Sequence, residues 1–293
     1  MTNPLRFRPP TALEYFATLV ADDSSLALTE AAVSIAQDEY PQLDTQTVLA
    51  EIDALAATLK RRIPADAPPV QKLRWLNHYF FHELAFAGNV NDYYTADNSY
   101  LHRVLATRRG IPITLAVIYI ELAAQVGLEA RGVSFPGHFL VKLRLQSALH
   151  QGEVVIDPFS GQSLSREDLD ERLAPFRRRQ GLLGDYEAPL GLFLQSATPR
   201  EVLARMLRNL KEIHRSAEDW PRLLQVLDRL IVLLPQAWEE HRDRALARAE
   251  VGDCASAVAD LAAYLEHRPN ADDHAALTER LRELRAAGRP RLH

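Results

Sequence analysis

The stretches that decide the fold read Gly-Ile-Pro-Ile-Thr at residues 110–114, Pro-Gly-His-Phe at 136–139 and Val-Ile-Asp-Pro-Phe at 155–159. The first opens a long apolar run, and its proline suits the first turn of a helix. The other two belong to alternating apolar patterns, which are typical of β-strands. A helix start, a histidine and an aspartate in this order form the frame of a thiol catalytic triad.

The first member of such a triad is missing from this frame. A catalytic cysteine sits at a helix N-terminus because the helix dipole there lowers the thiol pKa. The chain has one cysteine, Cys254, about a hundred residues beyond Asp157 in a segment of different character. His138 and Asp157 could supply the base and its orienting carboxylate, but no thiol transamidation or thiol proteolysis is expected. On spacing alone, a core histidine and a simple Asp-Pro turn are the favoured interpretation.

The composition is that of an ordinary globular protein with room for two domains. The chain has 293 residues, of which 47% are hydrophobic and 25% charged. Its net charge of −5 argues against a general nucleic-acid binder. One cysteine allows no internal disulfide, which favours a reducing compartment. No signal peptide or membrane span is predicted, so we expect a cytoplasmic protein that binds neither nucleic acid nor membrane.

Three regions follow one another along the chain. Residues 1–69 predict a helical region packed on the core, and residues 70–190 predict a core of helices and antiparallel strands. Residues 198–293 are purely helical, beginning at a capping box formed by Thr198 and Glu201. The predicted fold class is therefore α+β and mostly helical, with a small antiparallel sheet.

The C-terminal region carries a weak internal repeat. Pro235 and Pro269 are 34 residues apart, which is the tetratricopeptide period. Before Pro269, Ala257 and Leu261 occupy positions where that repeat has a small and an apolar residue. The preceding unit is degraded, since Leu223 stands at its small position. We expect one recognisable unit over residues 238–271, suited to binding a protein or peptide partner.

A metal site is a weaker possibility in the core. His78 and His82 are four residues apart on a predicted helix, a spacing that can chelate zinc, and Glu83 lies beside them. No third ligand is evident, and partly exposed helix histidines are the favoured interpretation. No metal and no cofactor are expected.

Residues 91–159 closely resemble the transglutaminase-like proteins known as regulators of sirC expression. The matching motifs are Asn-Ser-Tyr-Leu at 98–101, Arg-Gly-Ile-Pro-Ile at 109–113, Pro-Gly-His-Phe at 136–139 and Ile-Asp-Pro-Phe at 156–159. That family joins a transglutaminase-like, papain-like core to C-terminal tetratricopeptide repeats. The resemblance implies the same two parts, in the same order, for this chain.

The resemblance also implies which residues correspond to the triad. His138 and Asp157 are the counterparts of the catalytic histidine and aspartate, and Asn98 and Gly137 are site-lining candidates. The counterpart of the cysteine falls within residues 112–114. Counting back from Gly127 favours Pro112, whereas side-chain chemistry favours Thr114, and neither is a thiol.

Three functions remain open at this point. The first is a non-catalytic regulatory or scaffold protein, a pseudoenzyme whose repeats bind a partner. The second is a hydrolase or acyltransferase that uses His138 and Asp157 with a hydroxyl or a bound water. The third is a metal-dependent enzyme in which His78 or His82 joins that pair.

Overall fold

The computed structural model of the chain describes residues 8–146, 151–182 and 188–287. They fall into two compact units, one formed by residues 26–206 and the other by residues up to Ser25 together with those from Leu207 onward. Helices dominate both units, and the sheets lie in the first, which confirms the predicted α+β class. Among the described helices, none has the length and apolar character needed to cross a membrane.

The helices of the described residues are numbered here in chain order. They are α1 (Ala12–Leu19), α2 (Leu28–Ser34), α3 (Thr45–Arg62), α4 (Pro69–Asn77), α5 (Leu101–Thr107), α6 (Pro112–Gln125), α7 (Arg166–Gln180), α8 (Leu190–Phe193), α9 (Pro199–Ser216), α10 (Trp220–Leu233), α11 (Trp238–Glu250), α12 (Cys254–His267) and α13 (His274–Ala287).

The strands form two sheets, and the larger one carries the site. Strands β1 (Ala87–Gly88) and β2 (Arg109–Gly110) make a short parallel pair. The larger sheet is antiparallel in the order β3-β4-β5-β6, built from β3 (Glu129–Val133), β4 (Leu140–Gln146), β5 (Gln151–Ile156) and β6 (Ser163–Leu164). The sequence predicts two or three of these strands. It misses β6 because two residues are too few to show an alternating pattern.

Helix α6 is the centre of the first unit. Its first eight residues, Pro112 to Tyr119, are all buried. A helix that is apolar on every side must be covered on every side. Helices α2, α3, α4 and α5 and strands β3 and β4 pack around it. The start of α6, where a triad would hold its nucleophile, is therefore deep in the packed core.

The aromatic segment after α4 departs from the predicted continuous helix. Helical spacing predicts a helix from Val70 to Ala87, but α4 ends at Asn77 and a π-helical turn follows from His78 to Glu83. Phe80 is buried there and stacks on Phe86, with ring centroids 4.4 Å apart. The wider π turn lets consecutive aromatic side chains reach the core, after which β1 begins.

The second unit is helical, and α11 and α12 coincide with the predicted repeat unit. Their contact is made by small and apolar side chains, with Ala245, Ala257 and Leu261 fully buried. Gly252 makes the tight turn between them with a positive φ of 81°. In the same unit α1 packs on α10.

Candidate functional site

The two predicted triad residues lie at one edge of the larger sheet. His138 sits in the turn between β3 and β4, where Gly137 adopts a left-handed φ of 71° and the His138 amide donates to the Phe135 carbonyl at 3.0 Å. Asp157 follows directly after β5. Because Val141 on β4 pairs with Ile156 on β5, the start of one strand and the end of the other meet at this edge.

A hydrogen bond joins the two side chains. His138 Nε2 lies 2.8 Å from Asp157 Oδ1. Both residues stand just outside the ladder, in the loops that flank β4 and β5, and not within the strands as the sequence predicts. The Asp157 side chain is 4% exposed, whereas that of His138 is 24% exposed. The imidazole can therefore meet a ligand while its carboxylate partner remains covered.

Asp157 is held as a carboxylate by three donors. The Phe159 amide donates to Oδ1 at 2.9 Å, and Arg172 Nη1 on α7 donates to Oδ2 at 2.9 Å. Burial alone would raise the pKa of Asp157, but the bonds from His138, Arg172 and the Phe159 amide outweigh it and hold the pKa well below its usual range. With Nε2 bonded to Asp157, Nδ1 is the imidazole nitrogen left to exchange a proton with a ligand.

The start of α6 has no comparable opening. Thr114 is fully buried, and its Oγ1 donates toward the carbonyls of Asn98 (2.8 Å) and Ile111 (3.0 Å) while it accepts the Ile111 amide at 3.2 Å. The hydroxyl therefore closes the first turn of the helix from inside. Pro112, the other predicted replacement for the cysteine, is the buried first residue of the helix.

Asn98, predicted as a site-lining residue, is buried and organises the loop after β1. It is 4% exposed, and its Nδ2 donates to the carbonyls of Asp92 (2.6 Å) and Tyr93 (3.1 Å). Its Oδ1 accepts from Asn89 Nδ2 at 3.0 Å. These bonds fix the loop after β1, which carries Tyr93 toward the site.

Short backbone contacts tie the start of α6 to the Asp157 loop. The Gly88 amide on β1 donates to the Phe159 carbonyl at 2.9 Å, and the next amide, of Asn89, donates to the Gly110 carbonyl at 2.9 Å. A side chain on Gly88 would collide with the Phe159 ring, since an added Cβ would lie 2.2 Å from it. The glycine therefore lets the two halves of the triad frame come together.

The sequence motifs do not identify four residues of this region, which are Tyr93, Phe159, Arg172 and Arg205. Phe159 lies between the His138 ring and the Tyr93 ring, with centroid distances of 6.4 Å and 6.0 Å. Arg205 donates through Nη2 to the His138 carbonyl at 2.8 Å. Arg172 and Arg205 lie on helices 15 and 67 residues from the residues they bond, so no local motif indicates them. Phe159 belongs to the motif that contains Asp157 and could have been found there.

The other candidate residues lie elsewhere. The His78 and His82 rings are 5.6 Å apart on the π turn, and Glu83, the nearest third group, forms an ion pair with Arg62. Within the described residues no group of three or more His, Cys, Asp or Glu side chains is arranged to hold a metal ion. Cys254 is half-buried at the start of α12, in the other unit.

Comparison with known families assigns both parts of the chain. Residues 46–208 match the transglutaminase-like superfamily, and residues 210–282 match a tetratricopeptide repeat family. The predicted order of a transglutaminase-like core followed by tetratricopeptide repeats is thereby confirmed. The chain's similarity to the superfamily extends across α3 to α8, which contain His138, Asp157 and their neighbours.

Several curated proteins are similar over most of their length, and others over a short segment only. A UPF0162 protein of Xylella fastidiosa (strain Temecula1 / ATCC 700964) is 38% identical over 254 residues, which cover 85% of this chain and 86% of that protein. The UPF0162 protein PA3419 of Pseudomonas aeruginosa is 32% identical over 223 residues, 75% of this chain and 76% of that one. F-box only protein 21 of Homo sapiens is 43% identical over 72 residues, 25% of this chain and 12% of that protein. No solved structure matches.

Proposed function

The chain belongs to the transglutaminase-like superfamily, and from that premise we propose that it acts by binding proteins or peptides without converting them. The transglutaminase-like core serves as a binding module, and the tetratricopeptide region offers a second surface to a protein or peptide partner. A regulatory or scaffolding role follows from this mode of action. The link to sirC expression that the resembling family carries is part of the same proposal.

One observation supports the proposal above the others: the start of α6 offers no nucleophile. A thiol there would be activated by the helix dipole, but the position holds Pro112, Ile113 and Thr114, all buried. The Thr114 hydroxyl is hydrogen-bonded to the carbonyls of Asn98 and Ile111. A hydroxyl that attacks a substrate must be accessible and must give its proton to a base, and this one is neither exposed nor bonded to His138.

The His138–Asp157 pair fits a binding role. Arg172 and the Phe159 amide hold Asp157 ionised, and Asp157 in turn orients the imidazole through Nε2. The partly exposed ring then presents Nδ1 as a fixed polar contact for a ligand. A rigid polar group beside aromatic side chains is what a specific binding site requires.

The tetratricopeptide region supports the second surface. Arg244 bridges α10 and α12 by bonding Asp228 at 2.7 Å and Asp260 at 2.7 Å and 2.8 Å, which holds the helix pairs in register. An open groove of about 380 Å³ lies beyond the end of α12, where Tyr264, His267 and Arg268 line it. Its polar lining suits a polar peptide segment.

A peptide-library selection on the full chain tests the proposal. Selected peptides should bind with an affinity measurable by calorimetry, and mass spectrometry should recover them with unchanged mass after long incubation with an added primary amine. Peptides that are hydrolysed, deamidated or joined to the amine at a rate lost in His138→Ala would overturn it. A selection that yields no peptide with measurable affinity would overturn it equally.

A second candidate function, a hydrolase or acyltransferase that activates a bound water, draws support from the exposure of His138. Its Nδ1 is free of the Asp157 bond, and an imidazole in this state can accept a proton from water. Steady hydrolysis of an amide or ester substrate, abolished by His138→Ala and strongly reduced by Asp157→Asn, would favour this candidate over the first.

A further inference from the structure

Arg205 on α9 is fixed beside His138 by uncharged groups. Its Nη2 donates to the His138 carbonyl at 2.8 Å, and its Nη1 lies 3.5 Å from the Phe135 carbonyl. The guanidinium carbon stands 5.6 Å from the centre of the Phe139 ring. A guanidinium has five N–H donors, and these two bonds leave three of them available. The side chain is half-buried, so these donors are held in a defined place.

The positive charge of Arg205 has no anionic partner in the described parts of the chain. Asp157 is the carboxylate at this edge of the sheet, and its oxygens are taken by His138, Phe159 and Arg172. With two guanidinium groups and one carboxylate, the site keeps an excess positive charge when the imidazole is neutral. Burial lowers the pKa of Arg205, yet an arginine stays charged at neutral pH. A partly desolvated cation of this kind is stabilised by an incoming anion.

Aromatic side chains complete the surroundings. Tyr93 lies close enough to Arg205 for the two to interact electrostatically, and its ring faces Phe159, which in turn meets the His138 ring edge-on. Tyr93 is 40% exposed, and the next residue, Tyr94, is 81% exposed. An apolar surface thus adjoins the guanidinium on the side that reaches solvent.

We propose that Arg205, His138 and Tyr93 form a subsite for a peptide carboxylate. This inference deepens the proposed function by naming the chemical group that the core would recognise. The carboxylate accepts the remaining N–H groups of Arg205, His138 adds a donor through Nδ1 when protonated, and the adjoining residue of the peptide packs on Tyr93 and Phe159.

The planar guanidinium favours a carboxylate over other anions. A carboxylate takes two parallel N–H bonds in one plane, and its attached carbon then lies at the level of the aromatic rings. The carboxylate could be the C-terminus of a peptide or the side chain of Asp or Glu. Both present the same group, and the experiment separates them.

Three small probes distinguish the sources: acetyl-Ala-Leu with a free acid terminus, acetyl-Ala-Leu amide, and acetyl-Glu-Leu amide. Their dissociation constants for the full chain are measured by NMR titration, which follows the Arg205 side-chain N–H and the His138 ring signals. We expect one of the two acidic probes to bind about tenfold or more tightly than the neutral amide, since charge-assisted bonds contribute more than neutral ones. Whichever acid binds identifies the source.

Matched variants assign the effect to Arg205. Arg205→Gln should remove the preference for the acid, whereas Arg208→Gln, in the same helix but paired with Glu240, should leave it unchanged. Arg205→Lys keeps the charge and loses the planar guanidinium, so the preference of this variant for the acidic probe over the amide should be smaller but still measurable. If Arg205→Gln proves poorly folded by its melting temperature, Arg205→Lys decides alone, and an unaltered preference in it overturns the proposal.

Three results would overturn the subsite. The acid and amide probes could bind equally, the acid preference could survive in folded Arg205→Gln, or inorganic phosphate could bind while both peptide acids fail. Each of these leaves the broader binding proposal standing. That proposal is tested separately by the peptide-library selection, and mass spectrometry of the same samples reveals any chemical conversion of the peptides.

Discussion

The two halves of the triad frame differ in solvent exposure and in hydrogen-bond partners. At the edge of the larger sheet, His138, Asp157 and Arg172 form a connected polar group whose imidazole reaches solvent. At the start of α6, Thr114 is closed into the core and bonds only to backbone groups. The first half presents a polar side chain to solvent, and the second stabilises the start of the helix.

The difference between the sheet edge and the start of α6 distinguishes the requirements of ligand binding from those of catalysis. A structural core has no need to hold an aspartate ionised beneath a partly exposed histidine, because a buried ionised group is costly unless it is paired. A nucleophile, by contrast, has to be both accessible and activated. The chain satisfies the geometry of the base and not that of the nucleophile, and this combination supports the proposed binding role.

The largest expected effect concerns Asp157. Asp157→Asn should lower the free energy of unfolding by about 3 kcal/mol, because the buried Asp157 carboxylate accepts hydrogen bonds from His138, Phe159 and Arg172 that a neutral amide cannot all replace. Glu129→Gln on β3, whose carboxylate pairs with Arg131 where the two side chains are 48% and 60% exposed, should cost under about 1 kcal/mol. Urea unfolding of both variants measures the difference. Equal costs would show that the Asp157 group is no more than a surface ion pair.

The Asp157 contribution should also depend on pH. The folded-state pKa is lowered, so the stabilisation is present above the unfolded value of about 4 and is lost as the pH falls below it. The gap in stability between the parent protein and Asp157→Asn should therefore narrow as the pH falls below about 4. Urea titrations at several pH values measure this gap, and a gap that widens below about pH 4 contradicts the assignment.

The effect at Thr114 should be smaller and purely structural. Thr114→Val removes the hydroxyl, leaves the Asn98 carbonyl and the Ile111 amide without that partner, and should cost about 2 kcal/mol. Thr114→Ser keeps the hydroxyl and loses one buried methyl, at a cost of about 1 kcal/mol. Thermal unfolding compares the two. Peptide affinity should be the same in both, and a loss of affinity in the valine variant alone would mean that the hydroxyl contacts ligand.

The smallest expected effect is that of supplying the missing thiol. In a Cys254→Ser background, Thr114→Cys should show no transamidation and no alkylation by iodoacetamide in the folded state, because the position is fully buried. Release of the thiol on unfolding in urea provides the control. Amine incorporation by the folded variant would show that the start of α6 opens to substrate.

The sequence predicts most of the helices and strands that carry the triad residues, but not the charged side chains that surround them. Capping boxes at Thr11, Ser165 and Thr198 and the alternating strands are local signals, so those elements are predictable. The π turn is missed because its aromatic residues keep helical spacing while the backbone widens. The pairing of His138 with Asp157 follows from motif order, whereas Arg172 and Arg205 reach the site through tertiary packing alone.

Asn98 and Thr114 illustrate the limit of motif reasoning at the site. Both lie in or beside segments that match the family's motifs, and both are buried and hydrogen-bonded to backbone carbonyls. A motif fixes which residues are near a site, but exposure and hydrogen-bond partners decide whether a side chain meets the ligand. Those depend on how α6 is covered by other elements, which local sequence does not specify.

Acylation of the protein shows whether the triad frame holds a working nucleophile. The full chain is treated with an activated acyl ester, and adducts are mapped by mass spectrometry in the parent protein and in His138→Ala. We predict no adduct on residues 112–114 and the same rate of ester consumption in both proteins. A stoichiometric adduct on Thr114 that disappears in His138→Ala would show instead that Thr114 is a nucleophile activated by His138.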